Sequence, residues 1–309
     1  MLSAFVENLN ADSTYVYSPN PFVLLCGGEV PDIKEGKPTA SLRDAFLKSE
    51  PFSAIKNAKI LQIEEIREYF EKESPYKELV TFERDIAQMS DLVLLFSESP
   101  GSFTELGVFT SYKDISKKLL VVIQNKHLQK SSFISQGPVA YLRSLSDYAV
   151  FSITNKQVGI SGENYASVKP TTLLELLREP TERRLAESAT HKTLQKKSFS
   201  HRCQLYVGFL REFTVLKDGE IIELFDAFGI KVSKPLLDKI TFCCKGVGWA
   251  KTAQAGFDRV HFATDGKAAA KFSLSNGIHD LIRRRMEFRQ HWVQTDPARL
   301  EAQSEAQQS

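Results

Sequence analysis

The chain has 309 residues, of which 42% are hydrophobic and 25% are charged, and its formal net charge is +2. Such a composition is typical of globular proteins and excludes a disordered or fibrous chain. No apolar run approaches the roughly 20 residues of a membrane-spanning helix, and the first residues do not form a secretory signal. We therefore expect a cytoplasmic protein that has no membrane partner.

The cysteine pattern agrees with this compartment. Four cysteines are present, two of them adjacent, and none has CxxC spacing: Cys26, Cys203, Cys243 and Cys244. This spacing suits neither a disulfide framework nor a zinc site. We expect all four to be reduced and mostly buried.

Apolar strands and helices alternate from about residue 22. PFVLLCGG is an apolar run of strand length that ends at Gly27 and Gly28, and Ser41 is expected to cap a helix that stops before Pro51. AKILQI, SDLVLLF and LLVVIQN are further predicted strands, separated by helical segments. Strands that are apolar on both faces predict an open parallel sheet covered by helices. Ligands of such sheets lie at the carboxyl ends of the strands.

The stretch ESPGSFTELGVF follows one of these strands directly. Pro100 and Gly101 predict a turn, and Ser102, or Ser99 before it, is a candidate N-cap of a helix whose amides could bind an anion. Glu105 would then be favoured in its ionised form and could stabilise positive charge at a sugar's anomeric carbon or attack that carbon. Spacing alone favours a structural alternative, a capping box between Ser102 and Glu105.

The same stretch resembles a known superfamily. SDLVLLF-x-ESPGSFTELGVF is similar to the nucleoside deoxyribosyltransferases, in which a strand-start aspartate precedes a glycine-containing loop and a catalytic glutamate. Together with FVLLCGGEV and KSSFISQGPVAYLRS, it resembles the N-glycosidase-like effector toxins of retrons. Retrons are bacterial anti-phage systems that also encode a reverse transcriptase and its branched single-stranded DNA. The resemblance covers most of residues 20–150.

The resemblance implies roles for individual residues. Glu105 takes the position of the catalytic carboxylate, and Asp91 that of the aspartate that orients substrate or base. Gly27 and Gly28 match the loop that lies against the nucleotide. The transferase pattern has an acidic residue about where Ser99 stands here, so hydrolysis is expected rather than base exchange.

The activity implied is cleavage of NAD or a related nucleotide, with toxicity through depletion of that nucleotide. The nucleotide is a substrate, and neither a cofactor nor a metal is expected. The reverse transcriptase and its branched DNA would hold the toxin in check, and the family implies a homo-oligomer or larger assembly. A rival resemblance, to the lysine-decarboxylase-like phosphoribohydrolases, rests on PGSFTE and also gives N-glycosidic cleavage.

Further substrate contacts are predicted around the same loops. The candidates for phosphate, ribose or other polar contacts are Ser99, Gly101, Ser102, Thr104 and Asn125. Asn125 follows a predicted strand, where simple turn chemistry is the alternative. Arg43 and Glu64 are possible pocket residues, although charged residues on helices are usually solvated. His127 follows the LLVVIQN strand and could donate a hydrogen bond to a substrate, but a single histidine in a loop more often has no functional role.

The C-terminal half has a different pattern. Residues 166–309 contain 23 Lys and Arg against 17 Asp and Glu, a mild indication of a polyanionic partner. EIIELFDAFGIKVSKPLLDKITFCCKGVGW predicts a helix, a turn at Gly229, and a second helix with Ser233 as its N-cap and Pro235 near its start. WAKTAQ and DRVHFAT predict a hairpin around Gly256. We interpret this region as a winged-helix-like module.

Five basic residues of this module are candidate nucleic-acid contacts: Lys234, Lys239, Lys245, Lys251 and Arg259. The alternative is a protein-binding module with a solvated basic face. A late helix carries three adjacent arginines, residues 283–285, and the tail DPARLEAQSEAQQS is expected to fray.

The predicted fold class is α/β, with two domains and a connector. Residues 1–165 form a Rossmann-like parallel-sheet catalytic domain similar to the deoxyribosyltransferases, residues 166–200 a helical connector, and residues 201–309 a mainly α, winged-helix-like domain that binds nucleic acid or another partner. The alternative function is a non-catalytic nucleotide sensor that regulates transcription through the winged helix. A structural adaptor is a third option.

Overall fold

The protein is described by a computed structural model, in which residues 2–31, 38–50, 55, 58–66, 74–128, 131–162, 164–188, 192–264, 266–275 and 281–308 are placed. Two compact units are present. The sheet unit comprises residues 21–67 and 78–189, and the C-terminal unit comprises residues 1–20, 68–77 and 190–309.

The elements follow one another along the chain. The strands are β1 (Leu9–Val16), β2 (Phe22–Cys26), β3 (Lys59–Gln62), β4 (Leu92–Ser97), β5 (Leu119–Gln124), β6 (Val150–Ile153), β7 (Lys192–Thr193), β8 (Val215–Lys217), β9 (Ala250–Ala255), β10 (Asp258–Ala263) and β11 (Ala270–Leu274). The α-helices are α1 (Leu2–Glu7), α2 (Leu42–Leu47), α3 (Leu79–Met89), α4 (Pro100–Thr110), α5 (Lys113–Ser116), α6 (Ala140–Leu145), α7 (Asn155–Val158), α8 (Pro170–Ser188), α9 (Phe199–Phe213), α10 (Asp218–Ala227), α11 (Lys234–Gly246), α12 (Leu281–Thr295) and α13 (Pro297–Gln308).

A parallel sheet of five strands forms the centre of the sheet unit. Its order is β3-β2-β4-β5-β6, and every neighbouring pair is parallel. All residues of β2, β4 and β5 are buried, as expected for strands that are apolar on both faces. The predicted α/β class is confirmed, and the sheet gains β6, which the sequence analysis did not predict. Because β2 and β4 are neighbours, the loops after Cys26 and Ser97 leave the same edge of the sheet.

The unit boundaries differ from the predicted domain boundaries at two places. Helix α8, predicted as part of a connector, belongs to the sheet unit, where Leu173 and Leu177 are buried in the core. The guanidinium of Arg184 in this helix donates to the backbone oxygens of Ser116 and Leu119, at 3.1 Å each. Residues 1–20 belong to the C-terminal unit because β1 pairs with β11 and β7.

The predicted helix–turn–helix and hairpin are present in the C-terminal unit. Helix α10 is followed by a turn at Gly229, whose φ is +67°, and then by α11. Ser233 occupies the N-cap position of α11 without a side-chain hydrogen bond, and Pro235 lies in the first turn. Strands β9 and β10 pair as an antiparallel hairpin, and β8 joins them in the order β8-β10-β9. A second antiparallel sheet, β11-β1-β7, was not predicted.

The cysteine prediction is confirmed, because Cys26, Cys203, Cys243 and Cys244 are all free and buried. The placed residues include no helix that combines the length and the apolar character needed to cross a membrane.

The expectation of a frayed tail is wrong, because α13 is a helix with a buried face. Arg299 in this helix bonds both carboxylate oxygens of Glu220 at 3.0 to 3.1 Å and one oxygen of Asp296 at 3.0 Å. Its guanidinium also stacks on Trp292, with 3.8 Å between the guanidinium carbon and the ring centroid. A local sequence pattern did not show this anchor, because Glu220 lies 79 residues away.

We predict that Arg299→Ala destabilises the C-terminal unit by roughly 3 kcal/mol, because it removes the cation that pairs with the mostly buried Glu220 carboxylate and leaves that charge with the amide of Lys217. Tryptophan fluorescence during urea unfolding measures this directly, since Trp249 and Trp292, the two tryptophans of the chain, both lie in that unit. The matched control is Arg283→Ala, which removes an exposed pair with Glu287 and should change stability by less than about 0.5 kcal/mol. Equal losses in the two variants contradict the anchoring role.

Candidate active site at the carboxyl edge of the parallel sheet

A buried carboxylate organises the edge of the sheet where β2 and β4 end. Glu98, directly after β4, accepts hydrogen bonds from the amides of Gly28 (3.1 Å), Leu42 (2.7 Å) and Arg43 (3.1 Å). Burial raises the pKa of Glu98, while these hydrogen bonds act to lower it. Glu98 thus joins the loop after β2 to the N-terminus of α2. The acidic position of the family pattern was predicted to fall at Ser99, one residue later, and no role was predicted for Glu98.

The two glycines after β2 allow this close packing. A Cβ atom at Gly28 would lie 2.8 Å from Ser41 Cβ and 2.9 Å from Glu98 Oε1. Gly27 has a φ of +155°, and a Cβ there would lie 2.9 Å from Phe96 Cβ. Both glycines therefore bring the backbone against β4 and α2 at the predicted edge.

The N-terminus of α4 is closed by its own side chains. Ser99 is the N-cap, and its Oγ accepts from the amide of Ser102 at 3.3 Å. The buried Oγ of Ser102 accepts from the amides of Glu98 and Ser99, at 2.9 Å each. Pro100 has no amide hydrogen to offer. The predicted capping box between Ser102 and Glu105 is therefore wrong, and Ser102 is used for capping instead of facing a ligand.

Glu105 lies in the second turn of α4, beyond the cap. Its carboxylate is largely buried, and Oε2 has no hydrogen-bond partner among the placed residues. The pKa of Glu105 is raised from 4.5 to about 8, chiefly by burial and also by the charges of Glu83 and Glu64, while Arg43 acts in the opposite direction. The expectation of an ionised carboxylate is therefore wrong for the ligand-free protein. Removal from water outweighs the helix dipole, which acts only in the first turn.

Charged side chains converge around Glu105. Arg43, itself buried, forms a two-pronged ion pair with Glu64 at 2.8 and 3.3 Å, and its Nε has no partner in the placed part of the chain. Arg43 and Glu64 were predicted as possible pocket residues, and the structure brings them together; Glu83 was missed. The charge of Glu105 also raises the pKa of Cys26, after the larger effect of burial. The result is a cluster of three carboxylates and one arginine at the carboxyl edge.

The structure does not bring Asp91 to this cluster. Asp91 precedes β4, and its Oδ2 accepts from the amide of Phe22 at 2.9 Å. It thus lies at the amino end of the six-residue strand, about 20 Å along it from the edge that carries Glu105. We correct its predicted role in orienting the substrate to one in fixing the start of two strands.

The other predicted substrate contacts have varied positions. Gly101 is exposed in the first turn of α4, and Thr104 is exposed but donates to the backbone oxygen of Pro100 at 3.0 Å. Asn125 is partly exposed at the carboxyl end of β5. His127 packs its ring edge-on against Phe103. Among the placed residues, no group of three or more His, Cys, Asp or Glu side chains is arranged to hold a metal ion.

The predicted nucleic-acid contacts are mostly occupied within the C-terminal unit. Arg259 bonds Asp218 (2.8 Å) and Asp238 (2.6 Å), and Lys234 bonds the same two carboxylates. Lys239 lies over the ring of Tyr76, 4.7 Å from its centroid, and Lys251 donates to the backbone oxygen of Ala306. Lys245 is exposed. A free basic face made of all five residues is therefore not present.

A family model described as STM3845 retron effector protein matches residues 39–252, which include α2, Glu64, Glu98 and Glu105. The chain belongs to this retron effector family. It is also similar to two proteins of Escherichia coli. Over 80 residues it is 38% identical to the "Retron Ec86 putative ribosyltransferase/DNA-binding protein", which covers 26% of each chain.

Over 120 residues this retron effector is 32% identical to the "Retron Ec73 putative ribosyltransferase/DNA-binding protein". That match covers 38% of this chain and 36% of the relative. The chain therefore matches between about a quarter and a third of the length of these curated relatives.

We predict that Glu105→Gln stabilises the fold increasingly as pH rises. The folded pKa of about 8 exceeds the unfolded one, so the folded state binds more protons between about pH 4.5 and 8, and stability falls across that window. The variant has no carboxyl group at this position, so its stability does not fall for this reason. Its advantage over the unsubstituted protein, measured by circular dichroism during urea unfolding, should grow from near zero at pH 4 to on the order of 5 kcal/mol at pH 9, since the pKa rises from 4.5 to about 8 and each unit of pKa is about 1.4 kcal/mol.

The control is Glu179→Gln, because Glu179 is exposed on α8. Its stability difference should not change with pH. A pH-independent difference for Glu105→Gln contradicts the raised pKa.

Proposed function

We propose that this retron effector cleaves the bond between base and ribose in NAD or another nucleotide, with Glu105 as the reacting carboxylate. The observation that carries the proposal is a buried carboxylate oxygen that has no partner among the placed residues, at the carboxyl edge of a parallel sheet. Polar groups in such positions require an explanation, and ligands of these sheets bind at that edge. The word ribosyltransferase in the names of both relatives supports glycosyl transfer chemistry.

The raised pKa suits a substrate with a cationic leaving group. Nicotinamide in NAD carries a positive charge on its ring nitrogen, and such a charge beside Glu105 lowers the pKa of the carboxyl. The ionised carboxylate then stabilises the oxocarbenium character of the anomeric carbon or bonds to it. The bond from carbon to ring nitrogen breaks, its electron pair stays on nitrogen, and neutral nicotinamide leaves. Water then attacks the anomeric carbon, and any bond from that carbon to the carboxylate breaks. The hydroxyl of the water stays on the sugar, and its proton returns to Glu105, which lost its own proton to solvent when the cation bound.

We further propose that the protein is an anti-phage toxin that a reverse transcriptase and its branched single-stranded DNA hold in check. The retron family and the term DNA-binding in the relatives' names support such partners. The winged-helix-like part of the C-terminal unit would engage one of them. Four of its five candidate basic residues already contact other residues of the unit. These contacts argue against broad phosphate binding by that face and favour binding to a protein.

We predict that the full chain, separated from its partners, releases base from NAD or from another nucleotide, and that Glu105→Gln reduces this rate by at least about 100-fold. Chromatography of a nucleotide panel measures the released base. Glu179→Gln, on an exposed glutamate, should keep full activity. Unchanged base release by Glu105→Gln contradicts the assignment. Nucleotide binding without base release by either protein favours the non-catalytic sensor.

We predict a characteristic pH dependence for a cationic substrate. With NAD, kcat/KM should rise with pH through an apparent pKa of about 8, because the free enzyme must lose the proton of Glu105. Glu83→Gln removes a charge that raises this pKa, so its profile should move to lower pH. Glu175→Gln, on an exposed residue of α8, should leave the profile in place. A falling profile with the same midpoint would instead identify Glu105 as a proton donor.

A further inference from the structure

The C-terminal unit contains a cavity of about 820 Å³ that is separate from the Glu105 cluster. Cavities of about 300–1,000 Å³ are the size of small-molecule and cofactor sites. Residues of β1, of β11 and of the segments beside them line it, together with residues of α9 and α12. No role in the proposed cleavage uses any of them.

One wall of the cavity presents aromatic rings. Ser13, Tyr15 and Tyr17 occupy alternate positions along and just beyond β1, so their side chains share one face of the sheet. Val16 between them is buried and points to the other face. Tyr15 is 43% exposed although it lies within a strand of the sheet. The burial of Tyr17 and the proximity of Tyr15 raise the pKa of Tyr17, which agrees with two neighbouring rings.

The cavity also has an excess of positive charge. Lys271 lies directly opposite Tyr15 across the β1–β11 pair, and Lys267 lies in the segment that precedes β11. Both lysines are exposed, and neither forms an ion pair with a placed residue. The carboxylate among the lining residues, Glu212, is compensated by Arg284, which bonds both of its oxygens.

We propose that this cavity is a second, non-catalytic nucleotide site, in which a base stacks on Tyr15 and Tyr17 and a phosphate binds Lys267 and Lys271. Exposed aromatic rings on a sheet face beside lysines are the arrangement with which proteins bind unpaired nucleotides. Chemistry at the site is not expected, because its carboxylate is engaged by an arginine. The nucleotide is either free or part of a single strand. Both sources present the same base and phosphate, and the site does not depend on the proposed cleavage.

The test is a titration of the full chain with AMP and, separately, with a short oligothymidylate, followed by calorimetry. We expect binding of at least one probe, and a loss of about ten-fold or more in affinity for Tyr15→Leu, because base stacking contributes roughly 1–3 kcal/mol. Lys271→Gln should weaken binding and, for the strand, lower the slope of log affinity against log salt by about 0.7. Tighter binding of the strand identifies single-stranded nucleic acid as the ligand, and comparable binding of AMP identifies a free nucleotide.

Two matched variants serve as controls. Tyr141 is exposed to a similar extent, 41%, but lies in the sheet unit, and Lys197 is an exposed lysine of the C-terminal unit outside the cavity. Tyr141→Leu and Lys197→Gln should bind both probes as the unsubstituted chain does. Failure of both probes to bind overturns the proposal. It is equally overturned if the cavity variants bind normally, since binding then occurs elsewhere.

Discussion

The hydrogen bonds from three backbone amides to Glu98 are the constraint on which the candidate active site depends. The amides of Gly28, Leu42 and Arg43 come from the loop after β2 and the first turn of α2, and they meet a carboxylate at the end of β4. Without an acceptor, three amide groups at this edge would be left unsatisfied, each at a cost of about 1–3 kcal/mol. With it, the backbone of Arg43 is fixed, and its side chain reaches Glu64 and lies near Glu105.

Two glutamates seven residues apart thus have opposite environments. Glu98 has three donors and fills the position at a helix N-terminus where an external anion could otherwise bind. Glu105 has a buried oxygen that no residue in the described part of the chain bonds, and two carboxylates lie nearby. A satisfied carboxylate holds structure, whereas an unsatisfied one with a pKa near 8 is able to change its protonation when a charged ligand arrives. Since the α4 cap is also closed, the nucleotide that we propose as substrate would be recognised at this edge more through its sugar and base than through a phosphate at a helix N-terminus.

Much of the fold followed from local sequence patterns. The buried strands β2, β4 and β5, the Ser41 cap, the start of α11 after Ser233, and the β9–β10 hairpin are all encoded by neighbouring residues. The position of Glu105 at the carboxyl edge followed from its place after an apolar strand, and the family match includes it.

Features that depend on distant partners were missed. β1 pairs with a strand more than 250 residues later in the chain. Helix α8 packs into the core through two leucines, although its local pattern is equally typical of a connector. Arg299 bonds Glu220, which is 79 residues away in sequence. The same limit affected the chemistry. The dipole argument for an ionised Glu105 used the local helix alone, whereas burial and Glu83 on α3 decide its pKa. From the sequence, Arg259 and Lys234 were predicted to be available for phosphate contacts, but both form ion pairs with Asp218 and Asp238.

We infer that burial keeps the Glu105 carboxyl protonated at neutral pH until a ligand arrives. The most direct test of this inference is an NMR titration of the side-chain carboxyl carbon in protein labelled with ¹³C-glutamate, with the Glu105 signal assigned from its absence in Glu105→Gln. We expect a midpoint at about pH 8. A midpoint at about 4.3, the value of a solvated glutamate, would contradict it.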